Sequence, residues 1–458
     1  MSATYAVIDP ATLEPVGEVP LHQPEDVERA IAAARQVART WAVDREARRS
    51  ALRAAAGAVD AESEELGRIL SLEQGKVWAE AVQEFRVAAG LLRHYADLDW
   101  DESETLTPRD GRQVQVQYAP VGLVGAITPW NFPISLLAVK LAPALVTGCT
   151  VIAKPSPSTP MSTIALVEVL NRFLPADVLQ VVTGRGVLSR ALSELPGVRK
   201  ISFTGSTEIG AAIMAQAAPT VKKVTLELGG NDPAIVLPDA DLPVTARRIV
   251  GSAFRNAGQV CMAVKRVYVP RARSAELTEA LVAAASALRV GHGVAEGTTM
   301  GPMHTSAQQQ LVQDYVTQAV SQGGRIAHGG QSGTSLPGYF LEPTIVADAP
   351  QSSDLVACEQ FGAALPVVAY DDLDATIDQL NAQEFGLGAS VWSPDLDRAH
   401  QVASRLEVGT AWVNQHTVVE LDAPFGGWKG SGLGRERGRW GLEEYLEPRT
   451  VNVRAHAD

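Results

Sequence analysis

Apolar positions along the chain follow two alternating rhythms. From Pro24 to Gly90 they recur at helical intervals in a stretch rich in Ala, Glu and Arg. Pro24-Glu25-Asp26 predicts a helix start, because Pro suits the first turn and acids favour the positive end of the helix dipole. Further on, short apolar runs end in turn residues. Val121 to Thr128 ends at Pro129-Trp130-Asn131-Phe132-Pro133. Thr150 to Ala153 leads into Lys154-Pro155-Ser156-Pro157-Ser158-Thr159-Pro160, with a helix from about Met161. Val178 to Val182 enters Thr183-Gly184-Arg185-Gly186, and Lys200 to Phe203 enters Thr204-Gly205-Ser206-Thr207. Strand-like and helix-like runs in alternation predict an α/β fold with largely parallel sheets.

Each unit carries polar, Gly or Pro residues at the carboxyl end of a strand, where open α/β sheets bind ligands. The pattern reads as a Rossmann-like dinucleotide-binding sheet, although neither Gly184–Ser189 nor Gly205–Gly210 completes the GxGxxG fingerprint. A second α/β region is expected from about Gly230 to Gly430. Gln113 to Tyr118 and Arg449 to Arg454 alternate with a weak apolar rhythm. They read as exposed or edge strands that pair between subunits.

Length and charge narrow the classes. A chain of 458 residues exceeds one ordinary domain, and no internal repeat or flexible linker stands out. The net charge of −13 argues against nucleic-acid and anionic-lipid surfaces, which need clustered Lys and Arg. The start lacks the basic-then-apolar pattern of a secretory signal, and no apolar run approaches the ~20 residues of a membrane span. Three scattered cysteines suit neither a disulfide framework nor a metal site, so the expected setting is a reducing cytoplasm.

Two residues carry candidate chemistry. Cys261 closes Asn256-Ala257-Gly258-Gln259-Val260-Cys261, a Gly-containing loop able to present its sulfur to a ligand. A lone Cys is more often a small buried hydrophobe, the reading kept for Cys149 and Cys358. Glu227 lies in an apolar run before Gly229-Gly230. An unpaired carboxylate buried there would have its pKa raised toward that of a useful base, whereas a paired one would be structural.

Together with Pro424-Phe425-Gly426-Gly427-Trp428-Lys429 and Glu359-Gln360-Phe361-Gly362, these motifs resemble the aldehyde dehydrogenase superfamily, in the expected order and over nearly the whole chain. The resemblance implies that Cys261 is the nucleophile and that the Asn131 amide and the Cys261 backbone N–H form the oxyanion hole. It implies that Glu227 activates water against the thioester and that Glu436 is a proton-relay partner. Relatives that transfer the acyl group to coenzyme A lack the Glu at position 227, so its presence favours hydrolysis.

The resemblance also implies NAD or NADP as cofactor. Lys154 would meet the adenine ribose, Trp130 and Ser206 the pyrophosphate, Glu359 the nicotinamide ribose, and Phe361 the nicotinamide. Thr128, Pro129, Ser156, Pro157, Gly184, Phe203, Gly205 and Leu228 complete the expected cofactor set, and no metal is expected. Many NAD-preferring relatives carry Glu where this chain has Pro157, so NADP is expected to be tolerated, with Lys154, Ser156 and Arg185 available to its phosphate. Ala363 replaces a usual Pro.

The implied architecture is a cofactor domain (1–101 and 121–229), a catalytic domain (230–445) and a β-arm for oligomerisation (102–120 and 446–458), in a homodimer or homotetramer. Phe132, Leu136, Val260, Met262 and the loop Gln415 to Ala423 are the expected substrate lining. With no Arg or Lys in that loop, an uncharged aliphatic or aromatic aldehyde is favoured over a semialdehyde, and His416 reads as a surface residue. The alternatives are a semialdehyde dehydrogenase and a catalytically silent structural relative. The second should have lost Cys261, Glu227 or Asn131.

Overall fold

The computed structural model describes residues 3–107, 112–330 and 336–454. The helical stretch after Pro24 forms four helices, Pro24–Val43, Arg45–Ala61, Ser63–Gln74 and Trp78–Asp97. Asp26 accepts from the Gln23 backbone N–H at 2.7 Å, so the acid at the expected helix start serves as a cap.

Pro24–Val43 packs on a six-stranded sheet, and the other three pack on the helices Pro133–Thr147 and Met161–Asn171. The sheet has the order Gly432–Leu433, Lys223–Glu227, Val198–Thr204, Leu123–Ile127, Thr150–Lys154, Leu179–Val181. Five strands run parallel, and the short Gly432–Leu433 strand pairs antiparallel to Lys223–Glu227. The central strands Leu123–Ile127 and Thr150–Lys154 are buried throughout, as a sheet covered on both faces requires. From Leu123–Ile127 the chain winds outward to Leu179–Val181, then returns to the opposite side of its first strand with Val198–Thr204. That reversal opens a crevice at the carboxyl ends of these two strands. Gly432–Leu433, expected in the second region, returns to the first sheet and ties the two regions together.

The second sheet has seven strands in the order Arg325–His328, Thr344–Ala347, Ala364–Tyr370, Arg266–Pro270, Pro233–Val236, Gly388–Trp392, Thr410–Val413. All are parallel except the edge strand Arg325–His328. Its core includes Ile235, Val267, Leu365 and Trp392, each at most 1% exposed.

A third sheet has three strands. Gln113–Pro120, expected as an exposed or edge strand, is its half-buried central strand, bracketed antiparallel by Ser103–Leu106 and Leu446–Val453. Only Leu446–Val453 keeps the edge position expected for it. The correction comes from Ser103–Leu106, whose polar sequence gave no strand signal. No described helix is long and apolar enough to cross a membrane.

Candidate active site

The loop before Cys261 is built from unusual backbone. Asn256 (φ 47°), Ala257 (φ 55°) and Gly258 (φ 75°) are consecutive left-handed residues, a conformation that costs residues with side chains about 1–3 kcal/mol each. A Cβ on Gly258 would lie 2.2 Å from the Gly362 carbonyl oxygen, so only Gly fits. The loop is held by Lys265, whose ammonium donates to the Gly258 carbonyl at 2.9 Å. Gly230 serves a second approach, since a Cβ there would lie 2.7 Å from the Cys261 carbonyl oxygen. Cys261 is partly exposed, while Cys149 is buried.

Cys261 opens into a cavity of about 260 Å³ shared with Asn131, Glu227, Glu359 and Phe361. Burial pushes the thiol pKa well up, Glu227, Glu359 and Asp232 push it further, and Lys265 opposes them. Glu227 ends the strand Lys223–Glu227, and its two carboxyl oxygens are buried without a hydrogen-bond partner among the described residues. Burial lifts its pKa far above the usual carboxylate range, and Glu436 adds to the lift while Lys140 opposes it. Lys140 does not bond Glu227 itself; it donates to Glu436 at 2.5 Å and to Thr204 at 2.7 Å.

Asn131 is fixed from both ends. Its side-chain amide donates to the Gln259 carbonyl at 3.0 Å, beside the cysteine loop. Its own carbonyl accepts from Lys76 at 2.7 Å and from the Asn256 amide at 3.2 Å. One N–H of its amide is therefore engaged, and the other is free to meet an oxygen in the cavity.

The remaining expected residues separate into groups. Pro129, Trp130, Gly205, Ser206, Leu228, Glu359 and Phe361 line the same cavity. Ser206 also caps the helix Thr207–Ala217 by accepting from the Ile209 N–H. Glu359 turns back to accept from the Gly230 N–H at 3.1 Å, and burial pushes it up to about 7. Phe203 lies beneath Gly205, where a Cβ would meet its ring at 2.4 Å. Thr128 is buried with its hydroxyl unpaired. Lys154 ends its strand nearly buried, and burial alone brings its ammonium down to about 8. Ser156 lies within 3.0 Å of the Ser158 hydroxyl. Pro157 and Arg185 border a neighbouring cavity of about 410 Å³, and Gly184 makes the turn before Arg185.

Of the expected substrate lining, Leu136 reaches the cavity, Phe132 and Met262 are half-buried and Val260 is buried. His416 corrects the sequence reading. It is buried, tilted against Trp412, with Nε2 3.5 Å from an Asp232 carboxyl oxygen. Asn414 (φ 55°) and Thr417 (φ 62°) turn the backbone so that this ring points inward.

Residues 1–451 match the family model described as the aldehyde dehydrogenase family. The chain belongs to the aldehyde dehydrogenase family. It is 39% identical over 453 residues to a 3-sulfolactaldehyde dehydrogenase of Pseudomonas putida, covering 98% of this chain and 93% of that one. The succinate-semialdehyde dehydrogenase [NADP(+)] GabD of Escherichia coli is 38% identical, with 96% and 92% covered. The betaine aldehyde dehydrogenase of Staphylococcus aureus in complex with NAD+ superposes with a TM-score of 0.95 at 33% identity, covering 98% of this chain and 92% of that one.

Within this aldehyde dehydrogenase framework, the sequence reading overlooked several groups. His304 stacks on Trp130 at 4.5 Å and reaches the Ser158 hydroxyl at 2.7 Å, and burial holds it down at about 4. Gln308 and Leu311 also line the cavity. Arg255 sits half-buried with its guanidinium carbon 5.4 Å from the Phe132 ring. That last signal was available, six residues before Cys261 in the sequence. The others depend on folding.

Proposed function

We propose that this family member oxidises an aldehyde to the carboxylic acid and releases the acid by hydrolysing a thioester on Cys261. The observation that carries this reading is Glu227, a buried and unpaired carboxyl in the same cavity as the cysteine. Cys261 gives up its thiol proton, for which Glu227 in the same cavity is the available base, and attacks the aldehyde carbon as thiolate, forming the C–S bond. The Asn131 amide and the Cys261 N–H hold the resulting alkoxide; one such donor is worth roughly 3 kcal/mol. The alkoxide becomes the thioester by giving up a hydride, which the bound cofactor would accept. Glu227 then takes a proton from water, the water oxygen attacks the thioester carbon, and the C–S bond breaks to return the thiolate. Lys140 and Glu436, hydrogen-bonded to each other and felt by Glu227 through their charges, are the groups placed to take the proton onward.

The cofactor is NAD or NADP, which supplies a hydride acceptor when bound. The residues present fit it: Lys154 is a nearly buried cation whose charge finds no carboxylate among the described residues, so a ribose hydroxyl or phosphate suits it. The crevice beside Gly205 and Ser206 leaves the pyrophosphate a helix N-terminus. NADP is accepted because Pro157 offers no carboxylate against a 2′-phosphate.

Trp130, Leu136, Leu311 and Phe361 in the cavity of Cys261, with no Arg or Lys among its lining residues, support an uncharged aldehyde. Arg255 favours a second reading, an aldehyde whose far end carries a carboxylate or sulfonate, as the names of two relatives also suggest. Reduced-cofactor absorbance with charged and uncharged aldehydes tests the reaction and the substrate together. Cys261→Ala is expected to abolish turnover, and Glu227→Gln to give one equivalent of reduced cofactor and then stall, about 10²- to 10⁴-fold slower. Steady turnover by Glu227→Gln would sink the hydrolytic reading. A kcat/KM for acidic aldehydes that collapses in Arg255→Gln would select the second substrate reading.

A further inference from the structure

The turn that presents Asn131 is gripped by two charged residues with no place in the reaction above. Lys76 and Glu84 are buried, their side chains 0% and 1% exposed, and 2.5 Å apart. The Lys76 ammonium also donates to the Asn131 carbonyl and lies 3.8 Å from the centre of the Phe132 ring. The other Glu84 oxygen accepts the backbone N–H of Ile134 at 2.8 Å and of Ser135 at 3.1 Å. Four residues of one turn, 131, 132, 134 and 135, are thus held by one ion pair from another part of the chain. One helix turn earlier, burial raises the Glu80 carboxyl, and the charges of Arg255 and Lys76 oppose the rise. Removing two charges from water is expensive, and an apolar pair of similar volume often serves stability as well. Stability is therefore a poor reason for a lysine and a glutamate here. Fixing a backbone carbonyl and two N–H groups in one arrangement is a task only polar groups perform.

We propose that Lys76 and Glu84 are positioning residues that aim the Asn131 amide at the substrate oxygen. Lys76 holds the carbonyl of the peptide that carries the amide, and Glu84 holds the helix start that follows it. The role rests on the reading of Asn131 as oxyanion donor. Such a donor works only if its direction is set before the negative charge develops, since reorientation during the reaction would consume its advantage. The Asn256 amide is a second donor to the same carbonyl, so losing the clamp is expected to blunt catalysis without abolishing it.

The test is a cycle with Asn131→Ala, using full-length protein and thermal melting to establish folding. Lys76→Met combined with Glu84→Gln removes the charges together and leaves neither one buried alone. Its expected effect is a fall in kcat of about tenfold with the cofactor KM within about twofold, against about 10²- to 10³-fold for Asn131→Ala alone. Added to Asn131→Ala, the pair is expected to slow the enzyme by less than about twofold, because residues acting through one group are not additive. Glu84→Asp alone, a milder change that keeps the charge opposite Lys76, is expected to show the same coupling at a smaller loss. Full multiplication of the losses in folded protein, or unchanged kcat without the clamp, would overturn the proposal. Full activity of Asn131→Ala would overturn it too, together with the oxyanion reading on which it rests.

Discussion

At the residue scale, Glu227 sits where a carboxylate is least comfortable, and that discomfort has a sign that can be measured. Its folded-state pKa is raised, first by burial and then by Glu436, so folding takes up a proton at intermediate pH. Stability from this group is complete below the unfolded value of about 4.3 and falls as pH climbs toward the folded value. Glu227→Gln removes that penalty. Its melting temperature should exceed wild type at pH 8, with the gap closing toward pH 4; a lower melting temperature at pH 8 would reveal a partner that stabilises the anion. Pro157 supports a second residue-level prediction. Pro157→Glu would place a carboxylate at the border of the cavity shared with Arg185, near the proposed ribose site. The kcat/KM ratio of NAD to NADP should rise at least tenfold, about 1.4 kcal/mol. An unchanged ratio would mean the 2′-phosphate lies elsewhere. Both residues were legible in the sequence because they belong to contiguous motifs. Lys76 and Lys140 were not, since their partners Asn131 and Glu436 lie 55 and 296 positions away.

The elements that position the site differ in how openly the sequence announces them. Thr150–Lys154 and Val198–Thr204 lie within or around apolar runs ending at turn residues, and their strand character follows from that pattern. Gly432–Leu433 and Ser103–Leu106 are two and four residues long, so no periodicity betrays them; their pairing partners define them. The cysteine loop is intermediate. Its glycine was visible, but its two left-handed neighbours Asn256 and Ala257 were not, because strain is imposed by the contacts around it. Gly258→Ala tests that loop as a unit. The added methyl meets the Gly362 carbonyl within van der Waals contact, and the left-handed φ is costly for Ala. Denaturant unfolding should show a loss of about 2–4 kcal/mol, with Cys261 displaced and turnover lost. Wild-type stability and rate in Gly258→Ala would mean that the loop relaxes freely and does not hold the sulfur by strain.

For the molecule as a whole, the third sheet is the feature that one chain leaves unfinished. Its outer strand Leu446–Val453 runs eight residues with one side unpaired among the described residues, and Val451 and Val453 are 37% and 50% exposed. On the opposite edge, Leu106 is 49% exposed. Open edges of this length invite another strand, and natural proteins usually blunt them with charge or Pro. We propose that a second copy of the chain covers this arm, giving a homodimer or a dimer of dimers. Val451→Lys with Val453→Lys places two like charges on that edge and should shift the assembly to monomer at micromolar concentration by light scattering. The net charge of −13 adds a sign to the same experiment. Two such chains repel at low ionic strength, so moderate salt should tighten an apolar, strand-paired contact and would loosen one built on ion pairs. Monomeric wild type at all salt concentrations would remove the role of the arm altogether. Assembly that survives both lysines would place the interface on another face.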